Sequence, residues 1–177
     1  MTQIPIREIG GTGVKVTSVG MGGAALAGMY ASFIPEDAAA TVSAAYESGI
    51  TFFDTAPQYG FGRGESAMGS VLSGLDRNSF VLSTKVGRVL VDSPDREGTD
   101  FGAFSDLPPT FEKLDYSRDG ILRSIEGSLN RLGLDSVDIL LIHDPAPADW
   151  DEVKEIIVDQ SYPVLDDLRS QGVVRAI

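Results

Sequence analysis

Five short apolar runs alternate with stretches of helical spacing, and this alternation constrains the fold more than any other feature of the chain. The runs are Val14 to Met21, Ile50 to Phe53, Phe80 to Lys85, Val137 to Ile142 and Val173 to Ile177. Between the first two, Pro35-Glu36-Asp37 opens a helix, since proline suits a first turn and acids complement the helix dipole there. Ala38 to Glu47 continues it and Gly49 supplies the stop. Glu65 to Leu72 has helical character and closes at Gly74. Ile121, Ile125, Leu129 and Leu132 mark one apolar helical face, entered through Ser117-Arg118-Asp119-Gly120 and capped by Gly133. A last helix is expected from about Asp151 to Ser170, broken at Pro163.

Strand followed by helix, repeated, predicts an α/β fold with a parallel sheet. The run Val137 to Ile142 has no polar residue after Asp138, which predicts burial on both faces. Two architectures compete: an open five-stranded sheet of flavodoxin type, and the first five units of a (β/α)₈ TIM barrel. Length alone favours the open sheet. The segment from Arg88 to Tyr116, polar and interrupted by Pro94, Pro108 and Pro109, is expected to be a binding loop or lid.

Composition removes several functions. With 14 Lys and Arg against 26 Asp and Glu, the net charge of −12 argues against nucleic acid, whose binding depends on clustered cations. No cysteine is present, so disulfides and thiolate metal sites are excluded. With one histidine, only Asp54 and Asp144 remain as further ligands, and no metal site is expected. No stretch approaches the ~20 apolar residues of a membrane span. The start Met1-Thr2-Gln3-Ile4-Pro5 lacks the basic and apolar regions of a signal peptide. A cytoplasmic protein is expected.

Candidate chemistry lies at the ends of the apolar runs. Gly20-Met21-Gly22-Gly23-Ala24-Ala25 fits the dinucleotide fingerprint G-x-G-x-x-G/A, but no helix begins until about Pro35, and Asp54 lies well beyond the ~20-residue spacing of a ribose contact. Those glycines are better read as letting something approach the strand end closely. Asp54, Tyr59, Lys85 and His143 follow successive runs and would converge on one pocket if the strands are parallel. Taken singly each has an ordinary explanation: a capping acid, a loop aromatic, a surface lysine, a core histidine.

Taken together they do not. Phe52-Phe53-Asp54-Thr55-Ala56-Pro57-Gln58-Tyr59-Gly60, with Gly62, Gly64-Glu65-Ser66 and Gly69 behind it, resembles the signature of the aldo-keto reductases. Many members carry the Ser and Glu in the opposite order. The likeness continues through Ser83-Thr84-Lys85-Val86-Gly87, Ser124 to Asp135 and Asp138-Ile139-Leu140-Leu141-Ile142-His143-Asp144-Pro145, so it covers nearly the whole chain. The His-Asp-Pro form and the Asp115 to Gly120 helix entry look like the branch containing aldose (L-fucose) and pyridoxal dehydrogenases.

The resemblance implies a TIM barrel and an NAD(P)-dependent oxidoreductase acting on a small-molecule carbonyl or sugar, with NADP or NAD as cofactor. It makes Asp54, Tyr59, Lys85 and His143 the catalytic set, with Tyr59 as general acid/base and His143 orienting the carbonyl oxygen. Gly22, Gly23 and Asp54 would border the cofactor. An ammonium ~4 Å from the phenol oxygen would attract a phenolate by up to ~4 kcal/mol at an effective dielectric of 20. A full barrel takes ~250 residues, so residues 1–177 are expected to be a single, truncated domain of about five units with weak or no activity alone. Its open strand edges invite self-association. The alternative is a non-enzymatic remnant that self-associates or binds a partner.

Overall fold

A computed structural model describes residues 4–145 and 150–177, so the first three residues of the segment read above for a leader lie outside it. The chain begins with an antiparallel hairpin, β1 (Ile6–Glu8) and β2 (Lys15–Thr17), with Arg7 opposite Val16. The expected first strand, Val14 to Met21, is therefore two. Lys15–Thr17 pairs backwards into the hairpin, while β3 (Met21–Gly22) starts the main sheet. The break is made by Thr17, whose hydroxyl donates to the Val19 carbonyl at 2.8 Å and accepts the Thr51 N–H at 3.2 Å, replacing ladder bonds with local ones.

The main sheet adds β4 (Phe52–Asp54), β5 (Val81–Val86) and, beyond a second hairpin, β8 (Ile139–Ile142). Its order is β3-β4-β5-β8, every pair parallel. Strands thus stand in chain order with no reversal, whereas a doubly wound sheet reverses at its switch point. The flavodoxin alternative fails on that ground. The crossovers are α1 (Pro35–Glu47), α2 (Arg63–Leu72) and α3 (Arg118–Leu132).

Period-two alternation separates the faces of the sheet. Phe53, Leu82, Val86 and Leu140 point to the helices and pack with Val42, Met68, Leu72, Ile121, Ile125 and Leu132. Val81 and Ile139 point the other way, onto Val14 and Val16 of the hairpin and Ala176. The spacing read for α3 is realised: Ser117 caps it by accepting the Gly120 N–H at 3.2 Å, and Gly133 closes it at φ 65°. Two-sided burial of β8 is realised only at its start, where Ile139 and Leu140 are buried on opposite faces. Further along, Leu141 is 41% exposed on the inner face.

Helices α2 and α3 approach at Gly69, where a Cβ would lie 2.6 Å from the Leu132 carbonyl oxygen and 2.7 Å from that of Arg131. Backbone cannot yield as a side-chain tip can. Gly69→Ala should therefore cost about 1–3 kcal/mol through overpacking, read as a lowered urea midpoint. An unchanged midpoint would show that the two helices are not packed this closely.

The segment 88–116 is not the irregular loop expected from its prolines. It forms the hairpin β6 (Arg88–Asp92) and β7 (Thr110–Leu114), paired from Arg88↔Leu114 to Asp92↔Thr110. Pro94, Pro108 and Pro109 all fall in the connection between the two strands, at the closed end of the ladder, and remove no donor from it. Phe101 and Phe111 pack on Phe61 with ring centroids 5.4 and 5.3 Å away, tying the hairpin to the start of α2.

After β8 come α4 (Trp150–Ile156), a wide π turn over Ile157–Ser161 and α5 (Tyr162–Ser170). The expected break is there. Pro163 sits in the first turn of α5, and the wide turn before it absorbs the missing N–H. The expected fifth strand, Val173 to Ile177, is reduced to one parallel bridge between Ala176 and Ile139. Among the described residues no helix is long and apolar enough to cross a membrane.

Candidate active site

Parallel strands bring their carboxyl ends to one edge, and there the sequence places Asp54, Lys85 and His143 at the ends of β4, β5 and β8. Lys85 is the hub. Its Nζ donates to Asp54 Oδ2 at 2.9 Å, to the Thr55 carbonyl at 2.9 Å and to the Tyr59 hydroxyl at 3.2 Å. Ser83, two residues before Lys85 on the same face, donates to Asp54 Oδ1 at 2.5 Å and fixes the carboxylate from below.

Tyr59 reaches the cluster from a compact turn after β4. The Tyr59 N–H bonds the Ala56 carbonyl at 3.1 Å, and the chain then passes through Gly60 at φ 58° and Gly62 at φ 96° into α2. Gly60 allows no substitute, since a Cβ would sit 2.4 Å from the Ala27 carbonyl oxygen.

His143 is 4% exposed and its backbone is held at both ends. Its N–H bonds the Val86 carbonyl at 2.9 Å, and its carbonyl accepts the Tyr116 hydroxyl at 3.0 Å. The ring stands edge-on to Tyr59, centroids 6.1 Å apart at 87°. All four expected residues are thus at one place, with Tyr59 bonded to Lys85 and edge-on to His143.

Burial first, then the charges of Arg88 and Lys85, push the His143 imidazole down to about 4, against a weaker opposite pull from Asp144 and Asp54. The ring is neutral at pH 7. Since this is the only histidine of the chain, its ring protons can be followed by NMR without assignment. They should titrate near pH 4 rather than near 6.5. The folded state then binds fewer protons than the unfolded one between those values. This contribution to stability is full above pH 6.5 and is lost as pH falls towards 4. A midpoint at or above 6.5 would mean a solvated or ion-paired ring.

The two glycines expected to border a cofactor differ. Gly22 lies opposite Asp54 in the sheet, and a Cβ there would meet nothing within 4 Å, so it leaves open surface beside the carboxylate. Gly23 is accounted for by the protein itself: its Cβ would come within 2.8 Å of Thr55 Oγ1, and its N–H donates to the Asp54 carbonyl at 2.7 Å.

Sequence reasoning missed a layer around the cluster. Arg88 on β6 pairs with Glu112 on β7 at 2.8 Å, and Gln58 donates to the same carboxylate at 3.3 Å. Tyr116 likewise carries no local signal of its bond to the His143 carbonyl. Ser83 could have been found, because it shares the Lys85 face by period two.

Comparison with known proteins bears on what this cluster belongs to. Residues 18–177 match the description "Aldo/keto reductase family". The chain belongs to that family. It is 35% identical over 168 residues to D-threo-aldose 1-dehydrogenase of a Pseudomonas species, a match covering 93% of this chain and 50% of that protein. It is 40% identical over 147 residues to pyridoxal 4-dehydrogenase of Microbacterium luteolum, covering 78% and 42%. Against L-galactose dehydrogenase of Arabidopsis thaliana it is 36% identical over 179 residues, covering 100% and 48%. Among solved structures, the glycerol dehydrogenase of Gluconobacter oxydans superposes with a TM-score of 0.71 at 29% identity, covering 99% of this chain and 48% of that one. The chain spans about half the length of the curated relatives it matches.

Enzymes of the aldo/keto reductase family use NAD(P)H. The residues at this edge fit the reactive ring of such a cofactor: Gly22 offers a face free of side chain next to Asp54, within the same cluster as the Tyr59 hydroxyl. They do not fit its phosphates. Lys85 and Arg88 beside the cluster are each paired with a carboxylate and only 13% and 15% exposed, so neither offers a free cation to a phosphate.

Proposed function

We propose that this aldo/keto reductase chain carries the proton-handling part of an NAD(P)-dependent oxidoreductase that interconverts an aldehyde or ketone, or a sugar hemiacetal, with an alcohol or lactone. The observation that carries the reading is the shared ammonium, 3.2 Å from the Tyr59 hydroxyl and 2.9 Å from Asp54.

A reduced nicotinamide, when bound, supplies the hydride. The oxygen of the reduced carbonyl then needs a proton, and Tyr59 donates it from its hydroxyl. The Lys85 ammonium stabilises the negative charge left on the Tyr59 oxygen. Asp54 and the Thr55 carbonyl hold that ammonium in place, so no reorganisation is needed when the charge appears. His143, neutral at pH 7, bonds the substrate oxygen and orients it without competing as an acid. In the oxidative direction Tyr59 accepts the proton through the same contacts.

In this reading residues 1–177 form one domain of successive β/α units of a TIM barrel, and hydride transfer requires a surface for the phosphates beyond the cations seen here. A second reading is a non-enzymatic, self-associating module, favoured by the 41% exposure of Leu141 on the open inner face. Titrating NADH or NADPH into the chain and following Trp150 and tyrosine fluorescence, together with turnover of an aldehyde, separates them. Quenching and turnover support the oxidoreductase. Silence in both, with a concentration-dependent rise in sedimentation coefficient, supports the module.

A further inference from the structure

The edge of the sheet opposite the candidate active site holds a cavity of about 470 Å³, lined by Gly13, Lys15, Arg77, Ser136, Asp138 and Arg175 among others. Val81 at the start of β5 lines it, and Lys85 at the end of that strand belongs to the catalytic cluster, so the two places are ~13 Å apart along the strand.

Its charge is out of keeping with the chain. At a net charge of −12 most of the surface repels anions, yet here three cations face one carboxylate. Asp138 is buried and fully occupied: Oδ1 accepts from Arg175 at 2.8 Å, and Oδ2 accepts from Arg77 at 2.7 Å and from the Leu82 N–H at 2.9 Å. One arginine suffices to balance it. Arg77 is the structural one, since it also donates to the Ser136 and Phe80 carbonyls. The Arg175 side chain is 53% exposed, and its guanidinium makes one hydrogen bond among the described residues, through one terminal nitrogen to Asp138, so its other N–H groups are uncommitted. Lys15 forms no ion pair among the described residues. Glu8, its cross-strand neighbour, turns its carboxylate to the Gly13 N–H at 3.1 Å. A guanidinium with N–H groups to spare and an ammonium without an ion pair, flanking one polar cavity, suit a tetrahedral oxyanion.

We propose that this cavity binds a phosphate dianion, free or carried as the monoester of a small metabolite, with Arg175 and Lys15 as its ligands. The proposal is independent of the chemistry at the opposite edge. The test is isothermal titration calorimetry of the chain with inorganic phosphate, ribose 5-phosphate and ribose at constant ionic strength. Saturable binding of the first two and none of ribose is expected. Tighter binding of ribose 5-phosphate identifies the monoester as the ligand, and equal binding identifies the free ion. Lys15→Gln, at an exposed position without an ion pair, leaves the fold intact and should weaken binding about tenfold or more, as should Arg175→Gln. No saturable heat with either phosphate, or affinity unchanged in both variants, overturns the proposal.

Discussion

Tyr59→Phe should cut turnover by about 10²- to 10⁴-fold, the range supplied by a positioned general acid, while leaving nicotinamide affinity within about twofold. The phenyl ring keeps its edge-on contact with His143, and only the hydroxyl that bonds Lys85 disappears. The measurement is steady-state reduction of an aldehyde by the chain and, because its relatives are about twice as long, by a chimera in which residues 18–177 replace the matching part of the Pseudomonas D-threo-aldose 1-dehydrogenase. Loss of kcat with an unchanged dissociation constant for the nicotinamide is the expected pattern. A chimera that retains full turnover with phenylalanine at this position removes Tyr59 from the reaction.

The largest effect on stability is expected at a buried pair that carries no chemistry. Glu65 on α2 is fully buried, accepts from Arg131 Nε of α3 at 2.7 Å, and accepts the Thr84 hydroxyl of β5 at 2.6 Å. Three elements meet at one carboxylate. Arg131→Met leaves that carboxylate charged and uncompensated, at a cost of about 3–5 kcal/mol. Domain stability is only about 5–15 kcal/mol in total, so a large fall in the urea midpoint, followed by circular dichroism, is expected. Replacing Glu65 with leucine as well removes the stranded charge and should restore much of the loss. Equal urea midpoints for the wild type and Arg131→Met would show that Glu65 finds its compensation elsewhere.

What the sequence could reveal followed from periodicity and local chemistry. The spacing of Ile121, Ile125, Leu129 and Leu132 defines a face of α3, and Ser117 and Gly133 bound it by capping, all within one segment. Asp54, Lys85 and His143 were legible as strand-end residues because parallel strands present the same edge. Pairing partners were not legible. Whether Lys15–Thr17 pairs with Ile6–Glu8 or continues into Met21 depends on one threonine hydroxyl, and a propensity pattern cannot see it. The hairpin of Arg88–Asp92 with Thr110–Leu114 was hidden by the prolines of the connection between its strands. The Arg88–Glu112 pair and the Tyr116 bond to the His143 carbonyl depend on that hairpin and were hidden with it.

The central claim is that one ammonium joins the phenol to the carboxylate. Of the five tyrosines in the chain, only Tyr59 bonds Lys85 among the described residues. In a ¹³Cζ-tyrosine NMR spectrum of the intact chain, the resonance that vanishes in Tyr59→Phe should be the one displaced in Lys85→Met, with the others in place. A Tyr59 resonance indifferent to the loss of Lys85 would contradict the account.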